Sequence, residues 1–115
     1  MKPERILQNK VMTWLRFHRF LATERPNHGY FNAWTNRYNI VGDHHVAGLP
    51  DIEVFLRGGR TVFIELKSKD GKLSPAQEAM LAKLAELGFE AFVARDVETV
   101  QNYFMQRGYI KWEKK

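Results

Sequence analysis

The chain has no cysteine, which excludes a disulfide framework and every thiolate zinc site. It has no apolar run near the roughly 20 residues of a membrane-spanning helix. An uncharged signal-peptide core is missing as well, because the N-terminal segment carries Lys2, Glu4, Arg5, Lys10, Arg16 and Arg19. Internal repeats, low-complexity tracts and linkers are absent. What is present suits a globular rather than a disordered chain: 44% hydrophobic and 27% charged residues in a length of 115. That length holds one core, so residues 1–115 are expected to form a single domain of a soluble, cytoplasmic protein.

The net charge of +5 is unevenly spread. Residues 1–25 contribute +4 and residues 107–115 contribute +3, while 26–106 sum to −2. Basic ends around a mildly acidic centre suit a protein that grips a polyanion and keeps carboxylates for other work.

Helical spacing of Leu7, Val11, Trp14, Leu15, His18 and Leu21 predicts a first helix over 3–21, with Pro3 in its first turn and Glu4 one turn before Leu7. Phe20–Arg25 and Tyr38–Val41 read as strands, with Pro26, Asn27 and Gly29 as a turn between them. The pattern then sharpens. Asp51–Leu56 alternates, with Ile52, Val54 and Leu56 on one face; Gly58-Gly59 makes a hairpin; Thr61–Ser68 alternates again. Ser74-Pro75-Ala76-Gln77 combines a Ser cap, a first-turn Pro and a capping-box Gln, starting a helix that stops at Gly88. Phe89–Ala94 reads as a short strand, and Asp96–Arg107 as a final helix ending near Gly108. The expected class is α/β with a mixed sheet.

Glu65 and Lys67 lie two apart in a strand, so they share a face at roughly 6–7 Å. Hairpin parity decides whether Asp51 joins them. A two-residue Gly-Gly loop would set Asp51 opposite Leu66 and bury Glu65 against Ile52. The alternation therefore demands an odd loop or a bulge at 57–60, which sets Asp51 opposite Glu65 or Lys67. Two carboxylates brought together repel, and a bound cation is the usual remedy. Oxygen ligands from Asp51, Glu65, the Leu66 carbonyl and water suit Mg²⁺ or Mn²⁺. Lys67 then stands where it can orient a metal-bound water or steady phosphorane charge, which suits phosphodiester hydrolysis. Glu-x-Lys alone carries little weight, since Glu113-Lys114-Lys115 also matches it; the ordered set of motifs carries the argument.

Glu4 on the first helix, Gly48-Leu49-Pro50-Asp51, Ile64-Glu65-Leu66-Lys67-Ser68 and Leu73-Ser74-Pro75-Ala76-Gln77, in that order, resemble the virus-type replication-repair nuclease (VRR-NUC) family of the PD-(D/E)XK superfamily. The resemblance covers about residues 3–100. It implies a restriction-endonuclease-like αβββαβ core, here with a C-terminal helix, and a Mg²⁺- or Mn²⁺-dependent nuclease needing no small-molecule cofactor. By position, Asp51 and Glu65 are implied metal ligands and Lys67 the water-positioning lysine. Glu4 is the helix-borne acid that holds metal or water, and Gln77 the glutamine opening the second core helix. Stand-alone members resemble homodimers acting on branched DNA such as four-way junctions, and fused versions act on flaps. The expected setting is replication, recombination or repair in a bacterial or phage-infected cell.

Lys69 and Lys72, on the turn after the catalytic strand, and Arg37 and His45, in the stretch of vague pattern, are candidate nucleic-acid contacts. Tyr30, Phe31 and Trp34 could stack on bases, pack in the core or form a dimer interface. No sequence-reading helix or zinc finger is visible, so selectivity should come from shape and phosphate contacts. The competing readings are a catalytically silent DNA-binding module, the same chemistry on RNA, and a restriction-type enzyme.

Overall fold

The computed structural model describes residues 2–25 and 46–110, together with the backbone of 29–32 and 37–40. The elements in chain order are helix α1 (Pro3–Phe17) and strands β1 (Leu21–Glu24), β2 (Gly29–Asn32), β3 (Arg37–Ile40), β4 (Ile52–Leu56) and β5 (Arg60–Leu66). Helix α2 (Pro75–Glu86), strand β6 (Glu90–Ala94) and helix α3 (Val97–Gln106) follow. One four-stranded sheet runs β1-β4-β5-β6, and β2-β3 form a separate pair. Neighbours are antiparallel except β5 and β6, which are parallel, so the sheet is mixed as expected. The αβββαβ core is present as α1, β1, β4, β5, α2 and β6, with the β2-β3 hairpin inserted between its first two strands.

Three expectations are corrected. The first helix stops at Phe17 rather than at 21, because Arg19 takes a left-handed φ of 62° and the Phe20 N–H closes back on the Leu15 carbonyl at 3.0 Å. That is the helix-ending geometry in which glycine is usual. Gly29 opens β2 instead of serving as a turn, and β3 covers Arg37–Ile40 where Tyr38–Val41 was expected. In addition, β5 is buried on both faces, Phe63 and Glu65 included, although its sequence alternates. The polar face of an alternating strand is thus closed in around its one carboxylate.

The core joins Leu7, Val11 and Leu15 of α1 to Ile52, Val54, Val62, Ile64 and Leu66 of the sheet and to Val100 and Phe104 of α3. Helix α2 begins with a complete capping box between Ser74 and Gln77, and α3 with Asp96 accepting from the Thr99 N–H at 2.7 Å. At the start of β6, Glu90 accepts from Arg60 at 2.9 Å, Tyr103 at 2.7 Å and Tyr109 at 2.5 Å. Burial works against its charge, yet these donors hold the carboxyl below the usual range.

Candidate active site

The loop between β4 and β5 decides the site. It is a single three-residue turn, Arg57–Gly59, with Gly58 and Gly59 at φ 77° and 72°. Its odd length pairs Leu56 with Arg60 and Ile52 with Ile64. One step further along that register, Asp51 falls opposite Glu65. The apolar alternation and the glycine loop therefore agree, and they bring the two carboxylates together.

Asp51 accepts from the Leu66 N–H at 2.9 Å through Oδ2, which ties the lead-in of β4 to the end of β5. Glu65 is 1% exposed. Burial first, and then the hydrogen bond and charge of Asp51, push its carboxyl up to about 8, with Glu4 adding to the rise and Lys67 opposing it. Its Oε1 is buried and receives no hydrogen bond. A buried carboxylate oxygen with no donor is costly and calls for a partner, either a proton or a cation. Gln77 Nε2 approaches Glu65 Oε2 at 3.4 Å, while Gln77 Oε1 accepts from the Ser74 N–H at 2.9 Å. The glutamine thus completes the helix cap and touches the site at once.

Glu4 is exposed on α1, and its charge is felt at Glu65. Among the described residues, however, no three His, Cys, Asp or Glu side chains cluster as a ready metal cage. The acidic pair is Asp51 and Glu65, with Glu4 outside it. Lys67 is half-buried beyond the end of β5, its N–H bonded to the Ala94 carbonyl at 3.0 Å. Lys69 and Lys72 are exposed on the following loop. His45 and the Arg37 side chain lie outside the described residues, as do those of Tyr30, Phe31 and Trp34.

Two arginines escape sequence reasoning. Arg25 donates through Nη1 to the Leu49 carbonyl at 2.8 Å, and its N–H to the Asp51 carbonyl at 2.9 Å, so it holds the segment that delivers Asp51. Arg95 Nη1 reaches the carbonyls of Ser68 at 2.7 Å and Gly71 at 2.6 Å, and fixes the loop after Lys67. Their partners are backbone carbonyls more than twenty residues away, which leave no trace in local pattern. Gly48 adds a third fastening. It stands at φ 83°, and a Cβ there would meet the Ala76 carbonyl oxygen at 2.5 Å. Only glycine lets this loop lie against the first turn of α2, beside Gln77.

A family model, the VRR-NUC domain, matches residues 2–98. The chain belongs to the VRR-NUC family. That is a nuclease family, so the chain is a nuclease domain, with DNA as the implied substrate. A solved structure described as a VRR_NUC domain protein aligns with a TM-score of 0.67 at 25% identity, over 92% of this chain and 88% of that one. A second, described as a VRR_NUC domain, aligns with a TM-score of 0.64 over 90% and 96% of the two chains; at 20% identity it speaks for the fold alone. No curated protein matches the chain at a significant level. No helix among the described residues is long and apolar enough to cross a membrane.

This VRR-NUC chain offers hard oxygen donors for a cation. Asp51 and the orphaned oxygen of Glu65 are donors of the class that Mg²⁺ and Mn²⁺ take. The set lacks the nitrogen or sulfur donors typical of a zinc site.

Proposed function

We propose that this VRR-NUC protein is a Mg²⁺- or Mn²⁺-dependent endonuclease that hydrolyses phosphodiester bonds in branched DNA, four-way junctions or flaps, in the cytoplasm of a bacterial or phage-infected cell. The observation that carries the reading is the buried, donor-less Oε1 of Glu65 set against Asp51. A divalent ion held there by Asp51, Glu65 and the Leu66 carbonyl would supply Lewis acidity and a water of lowered pKa.

The protein's own groups have separate tasks. Asp51 and Glu65 provide the negative field, and the Leu66 N–H fixes the orientation of Asp51. Lys67, on the same side of β5 as Glu65, places its ammonium where it can orient the attacking water or meet charge on the phosphate oxygens. Gln77 holds Oε2 of Glu65, so that Oε1 stays turned to the ligand. Lys69 and Lys72 meet flanking phosphates, which sets position without reading bases.

The test incubates four-way, flap and linear DNA with Mg²⁺, Mn²⁺ or EDTA, using wild type and Lys67→Ala. Cleavage is expected only with metal, faster on branched substrates, and reduced about 10²–10³-fold by the substitution. Turnover at full rate in EDTA or in the lysine variant would contradict the assignment. DNA binding without turnover under any metal would favour a silent binding module.

A further inference from the structure

A half-open cavity of ≈ 460 Å³ lies at the opposite end of the β4-β5 hairpin from Asp51, where the ends of α1 and α3 meet the three-residue turn. Its lining includes Arg19, Arg57 and Arg60 and the rings of Phe20, Phe55 and Tyr109. The volume lies in the range of small-ligand sites. Phe104 packs edge-on against both Phe20 and Tyr109, at centroid distances of 5.0 and 5.7 Å, so two of the walls are fixed. Arg60 is neutralised by Glu90. Arg19 and Arg57 are exposed and make no side-chain hydrogen bond or ion pair among the described residues.

Arg19 is the informative residue. All three helices end with the same pair of backbone hydrogen bonds, closing Phe20 on Leu15, Phe89 on Leu84 and Tyr109 on Phe104. After α2 and α3 the left-handed position is filled by Gly88 and Gly108, whereas after α1 it holds Arg19 at φ 62°. A side chain in that conformation is strained relative to glycine. Attraction of an arginine to the helix dipole does not require this position, since Arg16 already serves the last turn of α1. Strain retained at one of three equivalent positions, with the side chain lining a cavity, points to a ligand.

We propose that this cavity binds a nucleotide unit, its phosphate held by Arg19 and Arg57 and its base against Phe20, Phe55 or Tyr109. Guanidinium forks match phosphate oxygens, and exposed rings accept any base face. The unit could belong to a nucleic-acid strand beyond the scissile bond or to a free nucleotide. The choice of ligand rests on the nuclease reading; the existence of an anion site does not.

The experiment measures binding in EDTA, where no cleavage is expected, by wild type, Arg19→Gly and Arg19→Ala/Arg57→Ala. The probes are fluorescein-labelled single-stranded and four-way DNA, dAMP and inorganic phosphate. Loss of two phosphate contacts should lower the salt slope of single-strand binding by about 1.4 in the double variant. Arg19→Gly should melt at a higher temperature than wild type while binding more weakly, a combination that a purely structural role for Arg19 does not produce. Weakened DNA binding identifies a nucleic-acid strand as the source. Unchanged DNA binding with loss of dAMP binding identifies a free nucleotide. Folded variants that bind all four probes as wild type does overturn the proposal. Wild type that binds DNA through Arg19 yet cleaves nothing with Mg²⁺ or Mn²⁺ refutes the nuclease reading and leaves this site standing.

Discussion

At the residue scale, Glu65 ties stability to function. In the folded chain its carboxyl titrates near 8, whereas unfolded it returns to its ordinary 4.5. Between those values the native state holds a proton that the unfolded state releases. Stability without metal therefore falls as pH rises from 4.5 to 8 and levels off above. At about 1.36 kcal/mol per pH unit, the upper bound of that fall is on the order of 5 kcal/mol. Glu65→Gln removes the titration. Urea denaturation in EDTA from pH 5 to 9 should show a shallower fall with pH for the variant than for wild type and greater stability at pH 8, together with loss of metal-dependent cleavage. A variant as pH-sensitive as wild type would place the titration elsewhere. Arg25 makes a different contribution, because it acts through the Leu49 carbonyl rather than on substrate. Arg25→Ala should destabilise by about 1.5–3 kcal/mol, the usual scale for a charge-assisted hydrogen bond. It should also raise the Mn²⁺ concentration for half-maximal cleavage, which Arg25→Lys partly restores; a Mn²⁺ titration of the cleavage rate reads both effects.

At the element scale, the three-residue turn sets the register that makes the site. Deleting Thr61, the second residue of β5, keeps the turn and the Leu56–Arg60 pair but shifts the rest of β5 by one. Asp51 then comes opposite Leu66 instead of Glu65, and Ile52 opposite Glu65. The shift turns the apolar set of β5 to the wrong face, so the deletion should lower the urea midpoint sharply and abolish cleavage. A folded, active deletion variant would show that this register does not govern the site. This element was legible in the sequence, since Ile52, Val54, Val62 and Ile64 admit only one parity. So were α2 and α3, whose caps Ser74 and Asp96 and stops Gly88 and Gly108 are local signals. The end of α1 was not legible, because its left-handed residue is an arginine where a pattern reader looks for glycine. Gly29 read as a turn because short strands around Pro and Gly carry turn chemistry. The burial of Glu65 was hidden for another reason: alternation reports which face a residue takes, not whether a helix and a loop later cover that face. Arg25 and Arg95 bond to distant carbonyls, and such contacts exist only once the chain has folded.

At the scale of the whole molecule, one chain carries one Asp51–Glu65–Lys67 site, so on the proposed reading it would cut one strand at a time. Symmetric cleavage of a junction needs two such sites in fixed relation, which a two-fold homodimer supplies. The surface has apolar groups available for such contact: Phe17 is 79% and Leu21 70% exposed, and both flank the C-terminal end of α1. Light scattering at micromolar concentration should give twice the 13.5 kDa chain mass, alone or with four-way DNA. Phe17→Glu should return it to a monomer that still nicks flaps but no longer resolves junctions by paired cuts. The charge pattern adds a second readout. In such a dimer the basic termini of both subunits would double the phosphate contacts, so its salt slope on four-way DNA should exceed that of the Phe17→Glu monomer by close to a factor of two. Equal slopes, or a strict monomer in the presence of junction DNA, would mean that the two strands of a junction are cut in independent encounters, and paired cuts would then have to decline as enzyme is diluted below substrate.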